Sequence, residues 1–202
     1  MKAIYAAACV LAGSGLIAAQ TQGKTQASFA PGGSIKMELH AGGYTIKPGA
    51  DDKIVVNYST QTEGQFKEAQ AKVTVAGKEA KIYANGPDNG FEVTIEIPAK
   101  SDVMIRLTAG DLEMSGIQGS KDVESHAGNI EIDIGRAEDY GHVDASVNAG
   151  NLDADPFQIS KGGLFRSFHR LGIGQNRLHV HLGAGNLELT SSGGSAAKPS
   201  FL

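Results

Sequence analysis

Strict alternation of apolar and polar residues dominates this chain. Ile35, Met37 and Leu39 are separated by charged residues. The same period of two returns at 91–97, 103–107 and 178–182. Because alternate side chains of a strand point to opposite faces, this period is typical of half-buried β-strands. Helical spacing occurs only at 63–72, so the sequence predicts an all-β protein with at most one short helix.

A short phrase beginning with Ala-Gly recurs five times. It occupies 41–46, 109–114, 127–132, 149–154 and 184–189. After the glycine, Asp, Asn or Glu alternates with an aliphatic residue in the last four copies. Recurrence at roughly 20 residues with a strand pattern in each copy indicates stacked β architecture. We therefore predict one domain over 34–190, a right-handed β-solenoid-like stack of short strands, with the glycines at the corners.

Two of these copies and the start of a third, with the residues around them, are similar to a known family. The run LTAGDLEMSGI at 107–117, AGNIEI at 127–132, and the segments 162–168 and 178–186 resemble the DUF4097 family. That resemblance implies a β-solenoid-like fold and an adhesin-like role in the bacterial envelope. Since no catalytic residues are established for the family, the resemblance implies none in this chain.

The first 19 residues have the composition of a secretory signal peptide. Lys2 precedes an apolar run of small residues that ends at Ala19, and we expect cleavage there. Residues 20–33 should form a flexible lead-in and 191–202 a disordered tail. No later segment is apolar enough to span a bilayer, so we expect a periplasmic, secreted or cell-surface protein. Cleavage at Cys9, as in a lipoprotein, would leave too short an apolar region before it.

Composition and motifs argue against several classes of function. The net charge is −4, which gives no bulk attraction to nucleic acid. Cys9, the single cysteine, falls within the leader, so the mature chain has no thiol nucleophile. No nucleophile elbow, P-loop or dinucleotide fingerprint occurs. We therefore expect no enzyme activity and no cofactor.

Two sets of residues could ligate a metal ion. One repeat position is acidic in four copies: Glu113, Glu131, Asp153 and Glu188. If the copies stack in register, this ladder is either a divalent-cation site with oxygen ligands or a solvated polar face. His179 and His181 lie two apart on one strand, hence on one face, and could bind zinc if a third ligand joined them.

An aromatic and basic segment interrupts the repeats. It contains Phe165, Arg166, Phe168, His169 and Arg170. We predict a protruding loop that binds an anionic glycan or a protein partner, or else an insertion whose phenylalanines pack on the stack. The function that fits best is an exported, non-catalytic scaffold or interaction protein of the envelope with an unknown protein or glycan partner. The alternatives are a glycan- or cation-binding module and, less favoured, a polysaccharide-active β-helix enzyme.

Overall fold

The computed structural model describes residues 21–192. The predicted signal peptide and residues 193–202 of the predicted tail lie outside this range. No helix among the described residues is both long and apolar enough to cross a membrane. The strands are β1 (Gln22–Ser28), β2 (Ser34–Leu39), β3 (Gly42–Pro48), β4 (Lys53–Ser59), β5 (Gln70–Ala76), β6 (Glu79–Asn85), β7 (Glu92–Ile97), β8 (Asp102–Met114), β9 (Lys121–Asp133), β10 (Tyr140–Ala154), β11 (Ile159–Leu171) and β12 (Asn176–Thr190). A short helix, α1 (Glu63–Phe66), and two 3₁₀ turns, Ala137–Asp139 and Asp155–Phe157, complete the list.

The strands form a single 12-stranded sheet, which confirms the all-β prediction. Its main order is β1-β4-β7-β3-β8-β9-β12-β10-β11. The central neighbours from β3 to β10 are parallel, and their Ala-Gly phrases are in register. The order departs from the order along the chain, because β12 lies between β9 and β10. The right-handed solenoid stays a prediction.

The sheet folds over at the Ala-Gly phrases to enclose one core. In β8, Val103, Ile105 and Leu107 are buried before the phrase, and Leu112 and Met114 after it. The buried positions thus change from odd to even numbers, which means that the inward face switches where the strand turns. The half of β8 before the turn pairs with β2, and the half after the turn pairs with β3. Buried side chains from both halves belong to one hydrophobic cluster.

Close approach of the strands explains why the corner residue is glycine. Gly110, Gly128, Gly185 and Gly150 occupy one row across neighbouring strands, with φ between 117° and 138°. A Cβ atom on any of them would overlap the carbonyl oxygen of the glycine on an adjacent strand. Both the positive φ and the contact exclude a side chain. These glycines are therefore structural, as the repeat predicted.

The beginning of the described chain differs from the prediction. Residues 20–33 were expected to be a flexible lead-in, but Gln22–Ser28 form β1, which pairs with β4 along its whole length. Gly23, Thr25 and Ala27 alternate as its half-buried positions, and such small or polar side chains give little apolar signal. β1 also contacts β5, so the two walls of the folded sheet meet at this end.

Two other boundaries also differ. The helix expected over 63–72 ends at Phe66, and β5 starts at Gln70. A capping box between Thr62 and Gln65 starts the helix, but Val73 and its alternating neighbours pair with β6 instead of continuing it. At the other terminus, the hydroxyl of Ser191 donates to the carbonyl of Gly135, so the expected disorder does not begin at residue 191.

Candidate functional site

The aromatic and basic segment is an edge strand, so the predicted protruding loop is wrong. Ile159–Leu171 form β11, which pairs antiparallel with β10. Among residues 21–192 no strand pairs with the other side of β11. Apart from the buried Phe168 and the half-buried Ile159, every residue of β11 is exposed. Exposure of both faces removes the apolar alternation that marks a strand in the sequence.

The five patch residues predicted from the sequence separate onto different surfaces. Phe168 is only 9% exposed and packs 5.1 Å from Phe157, measured between ring centroids. The Arg170 guanidinium lies 5.2 Å from the centre of the Phe157 ring. His169 is opposite Asp144 on the outer face. Part of the segment therefore closes the end of the core, as the packing alternative expected, and the rest is exposed.

Exposed apolar side chains concentrate at this end of the molecule. Phe165 is 79% exposed and has φ of 52°, a conformation that is rare for a bulky residue. Leu164, Leu171 and Ile173 are 64%, 71% and 99% exposed. Met104 is the only other large hydrophobic residue exposed within the described range. Four of the five large hydrophobic residues exposed among residues 21–192 thus lie on β11 or just after it, so β11 and Ile173 mark a candidate contact surface.

The same surface is cationic in an acidic protein. No Asp or Glu occurs between Gln158 and Arg177. Lys161 donates through Nζ to the Ser167 carbonyl at 2.8 Å, and Arg166 donates through Nε to the Gly162 carbonyl at 2.7 Å. No ion pair within the described residues includes Lys161, Arg166 or Arg170. Their charges are thus available to an anionic partner.

The acidic ladder forms the row expected from the repeats, but its carboxylates do not converge. Glu113, Glu131, Glu188 and Asp153 follow one another in register across β8, β9, β12 and β10. Within residues 21–192, the groups of three ligands close enough to share a metal ion lie elsewhere. Cation binding by the ladder stays a prediction.

A second row of polar side chains, beside the acidic ladder, holds the strands in register. Asn129 donates to Asp111, Asn186 to Asn129, and Asn151 to Asn186, each through Nδ2 at 2.8–2.9 Å. Because Asn129 and Asn186 each donate and accept, the hydrogen bonds form a chain from Asn151 to Asp111 that depends on parallel, in-register strands. The sequence contains the signal for this row, namely Asn or Asp directly after the glycine in four copies.

His179 and His181 share the outer face but not a ligand set. The His181 ring is hydrogen-bonded through Nδ1 to the Ser146 hydroxyl at 2.9 Å. His179 lies near Asp122 and Glu124 on β9. Arg106 already pairs with both carboxylates, at 2.8 Å and 3.2 Å. Among the described residues, His179 but not His181 has two further candidate ligands close by, the carboxylates of Asp122 and Glu124. Both carboxylates are already paired with the Arg106 guanidinium.

The sequence pattern gives no sign that one lysine, Lys121, is buried. Lys121 is 1% exposed, and its Nζ donates to the carbonyls of Ile117 and Gly119 and to the Tyr140 hydroxyl. Burial lowers the pKa of Lys121 from 10.5 to about 8, against the opposing effect of Asp133. Between these two values the unfolded Lys121 binds more protons than the folded one, so the contribution of Lys121 to stability rises with pH there. The contacts are intramolecular, and Lys121 serves the fold.

Comparisons with known proteins support the architecture alone. No protein-family model and no curated protein matches the chain, so membership of DUF4097 stays a prediction. Among solved structures, a "putative cell adhesion protein" from Clostridium sporogenes aligns with a TM-score of 0.51 and 15% identity, covering 85% of this chain and 100% of that one. A "putative adhesin" from Parabacteroides distasonis gives a TM-score of 0.23 and 13% identity, over 56% of this chain and 61% of that one. At these identities the first alignment indicates a shared fold, and the second carries no weight.

Proposed function

We propose that this protein is an exported, non-catalytic, adhesin-like interaction protein of the bacterial envelope, and that β11 binds its partner. The observation that carries the proposal is the outer edge of β11, with which no strand of residues 21–192 pairs. A strand with an unpaired edge presents N–H and C=O groups that an extended segment of another chain can pair with. β11 is 13 residues long, enough for such pairing along a whole peptide segment. The leader-like N-terminus supports export.

The other ends of the sheet are less suitable for this role. β1 and β5 are also outer strands, but they contact each other where the two walls meet. Charged residues on an edge strand also prevent self-association, and Lys161 and Arg166 fit that purpose. Such protection does not explain why Leu164, Phe165 and Leu171 are exposed beside them. Exposed apolar groups next to unpaired cations fit an amphipathic partner.

The chemistry of β11 favours an acidic polypeptide over a glycan. Lys161, Arg166 and Arg170 would attract carboxylates, and the strand edge would bind an extended backbone. Sugar rings usually stack on flat aromatic platforms, but the chain has no Trp, and Phe165 is the one large aromatic side chain strongly exposed within the described residues. The partner is therefore expected to supply an extended, acidic segment with alternating apolar side chains.

A peptide titration tests this surface. The mature chain is titrated into a fluorescein-labelled octapeptide of alternating Glu and Val, and anisotropy reports binding. Arg166→Glu should weaken the affinity by about tenfold or more, since it replaces attraction to the peptide carboxylates with repulsion. Lys24→Glu on the exposed side of β1 changes the net charge equally at the opposite end of the sheet and should leave affinity unchanged within about twofold.

Two further probes separate the possible outcomes. The same peptide N-methylated at every residue cannot donate backbone hydrogen bonds from either edge and should lose binding if it adds a strand. Equal affinity for the methylated peptide, or equal losses from Arg166→Glu and Lys24→Glu, would contradict the proposal. Binding of an alginate oligomer but not of the peptide, abolished by Arg166→Glu, would instead identify a glycan-binding surface.

A further inference from the structure

The outer face of the sheet before the corner carries a row in which carboxylates and imidazoles alternate. Asp122, His179, Asp144 and His169 are in register on β9, β12, β10 and β11. His142 lies two residues before Asp144 on β10 and so belongs to the same face. The row brings together residues from distant parts of the sequence. Within residues 21–192, no arginine pairs with Asp144, the carboxylate of this row that lies next to β11.

His142, Asp144 and His169 converge at that edge. One ligand atom from each lies within 4.8 Å of the others. His169 Nδ1 is 3.9 Å from Asp144 Oδ2, and the centroids of the two imidazole rings are 4.7 Å apart. His142 and Asp144 are half-buried and therefore partly oriented by the sheet, whereas His169 is exposed and can rotate.

We infer that these three side chains bind a divalent transition-metal ion, Zn²⁺ being the best match, with water in the fourth position. Two imidazoles and one carboxylate are a common zinc ligand set, while Ca²⁺ and Mg²⁺ prefer oxygen ligands alone. In a tetrahedral site with bonds of about 2.0–2.1 Å, ligand atoms are about 3.3 Å apart. Rotation of the exposed His169 ring can shorten its own distance to Asp144, now 3.9 Å, toward that value.

The second convergent group is a weaker candidate. It consists of Asp122, Glu124 and His179, and it has one imidazole instead of two. Arg106 pairs with both carboxylates, so a metal ion would have to displace a guanidinium that is already hydrogen-bonded there. The group at β10 and β11 requires no such exchange. It therefore provides the preferred site, and the other group provides a control.

The inferred ion would cross-link the edge strand to the body of the sheet. His142 and Asp144 belong to β10, and His169 belongs to β11, which contributes few buried side chains of its own. A bound ion would therefore stabilise β11 more than the strands within the core. This inference does not depend on the partner-binding role of β11, since the site stands on its own ligand geometry.

The test uses the untagged mature chain, because a polyhistidine tag would itself bind zinc. Isothermal titration with Zn²⁺ gives stoichiometry and affinity, and Co²⁺ absorption distinguishes a tetrahedral site from an octahedral one. One equivalent should bind. His142→Gln and His169→Gln should each weaken the affinity by more than about tenfold, since even loss of an outer-shell partner costs about that much. His126→Gln, which alters an exposed histidine outside both groups, should bind as the parent does.

Each other outcome overturns the inference. No saturable binding, or binding that survives both His142→Gln and His169→Gln, would exclude this site. Loss of binding in His179→Gln with retention in His169→Gln would assign the ion to the group that contains Asp122 and Glu124. Weak octahedral Co²⁺ absorption would indicate surface binding without a built site. Circular dichroism of each variant checks that a loss of zinc does not reflect unfolding.

Discussion

Replacement of Gly128 by alanine should destabilise the fold by more than backbone strain alone explains. Gly128 has φ of 129°, and a Cβ there would overlap the carbonyl oxygen of Gly110 on the neighbouring strand. Gly135 also has positive φ, at 71°, but no atom lies within 4 Å of its Cβ position. Gly135→Ala therefore measures the cost of a φ close to the left-handed region, and Gly128→Ala adds the cost of a φ outside that region and of separating two strands.

The expected magnitudes follow from these two contributions. Positive φ costs a residue with a Cβ roughly 1–2 kcal/mol. Overpacking adds about 1–3 kcal/mol when the neighbouring atoms must move. Gly128→Ala should thus lower the free energy of unfolding by about 3.5 kcal/mol, and Gly135→Ala by about 1.5 kcal/mol. The loss of unfolded-state freedom from Gly to Ala is the same in both and cancels in the comparison.

Urea unfolding, followed by far-ultraviolet circular dichroism, measures both variants. The chain lacks Trp, so the backbone signal is the suitable probe. Linear extrapolation gives the free energies, and unchanged slopes would show that the same surface is exposed on unfolding. A difference between the two variants below about 0.5 kcal/mol, the usual range for neutral surface changes, would refute the argument from close strand approach.

Three further predictions concern the faces of the sheet, the buried lysine and export. Ile132→Ala should cost about 2–5 kcal/mol because Ile132 is fully buried, while Glu131→Gln on the exposed face should change stability by at most about 0.5 kcal/mol. Equal effects in urea titrations would mean that the faces are assigned wrongly. Since the folded pKa of Lys121 is about 8, stability should rise by roughly 2 kcal/mol from about pH 7 to 9.5, and Lys121→Met should abolish the rise. A parent protein whose urea midpoint does not change with pH would contradict this. Mass spectrometry of the protein from its native envelope should show a chain that begins after Ala19, and an intact Met1 in the cytoplasm would exclude export.

The sequence predicted the core because its signal is local. Alternation and the repeated Ala-Gly phrase depend only on neighbouring residues, so they indicate strands, inward faces and corner glycines without knowledge of the tertiary structure. The order of the strands in the sheet could not be predicted from these local signals. The phrases at 127–132, 149–154 and 184–189 are nearly interchangeable, and nothing in them indicates that β12 pairs with both β9 and β10.

Sites were predicted poorly because their members come from separate strands. His142 and His169 are far apart in the chain and meet only because β10 and β11 pair antiparallel. β11 itself lacked a strand signal, since alternation requires one buried face and β11 has almost none. The acidic ladder differs from these sites, because its members share one repeat position. Its register was predictable from the repeats, but whether Glu131 and its neighbours point toward a common ion depends on side-chain geometry that no repeat encodes.

Site-specific photo-crosslinking in living cells tests the central claim most directly. A photoreactive phenylalanine analogue replaces Phe165 on β11 or, as a control, Lys72 on the exposed side of β5 at the far end of the sheet. After illumination, adducts are resolved from the envelope fraction by mass. The account predicts one discrete protein adduct from position 165 that is absent from position 72 and is lost when Arg166→Glu is added. Adducts of equal yield from both positions, or none from position 165, would contradict a partner-binding role for β11.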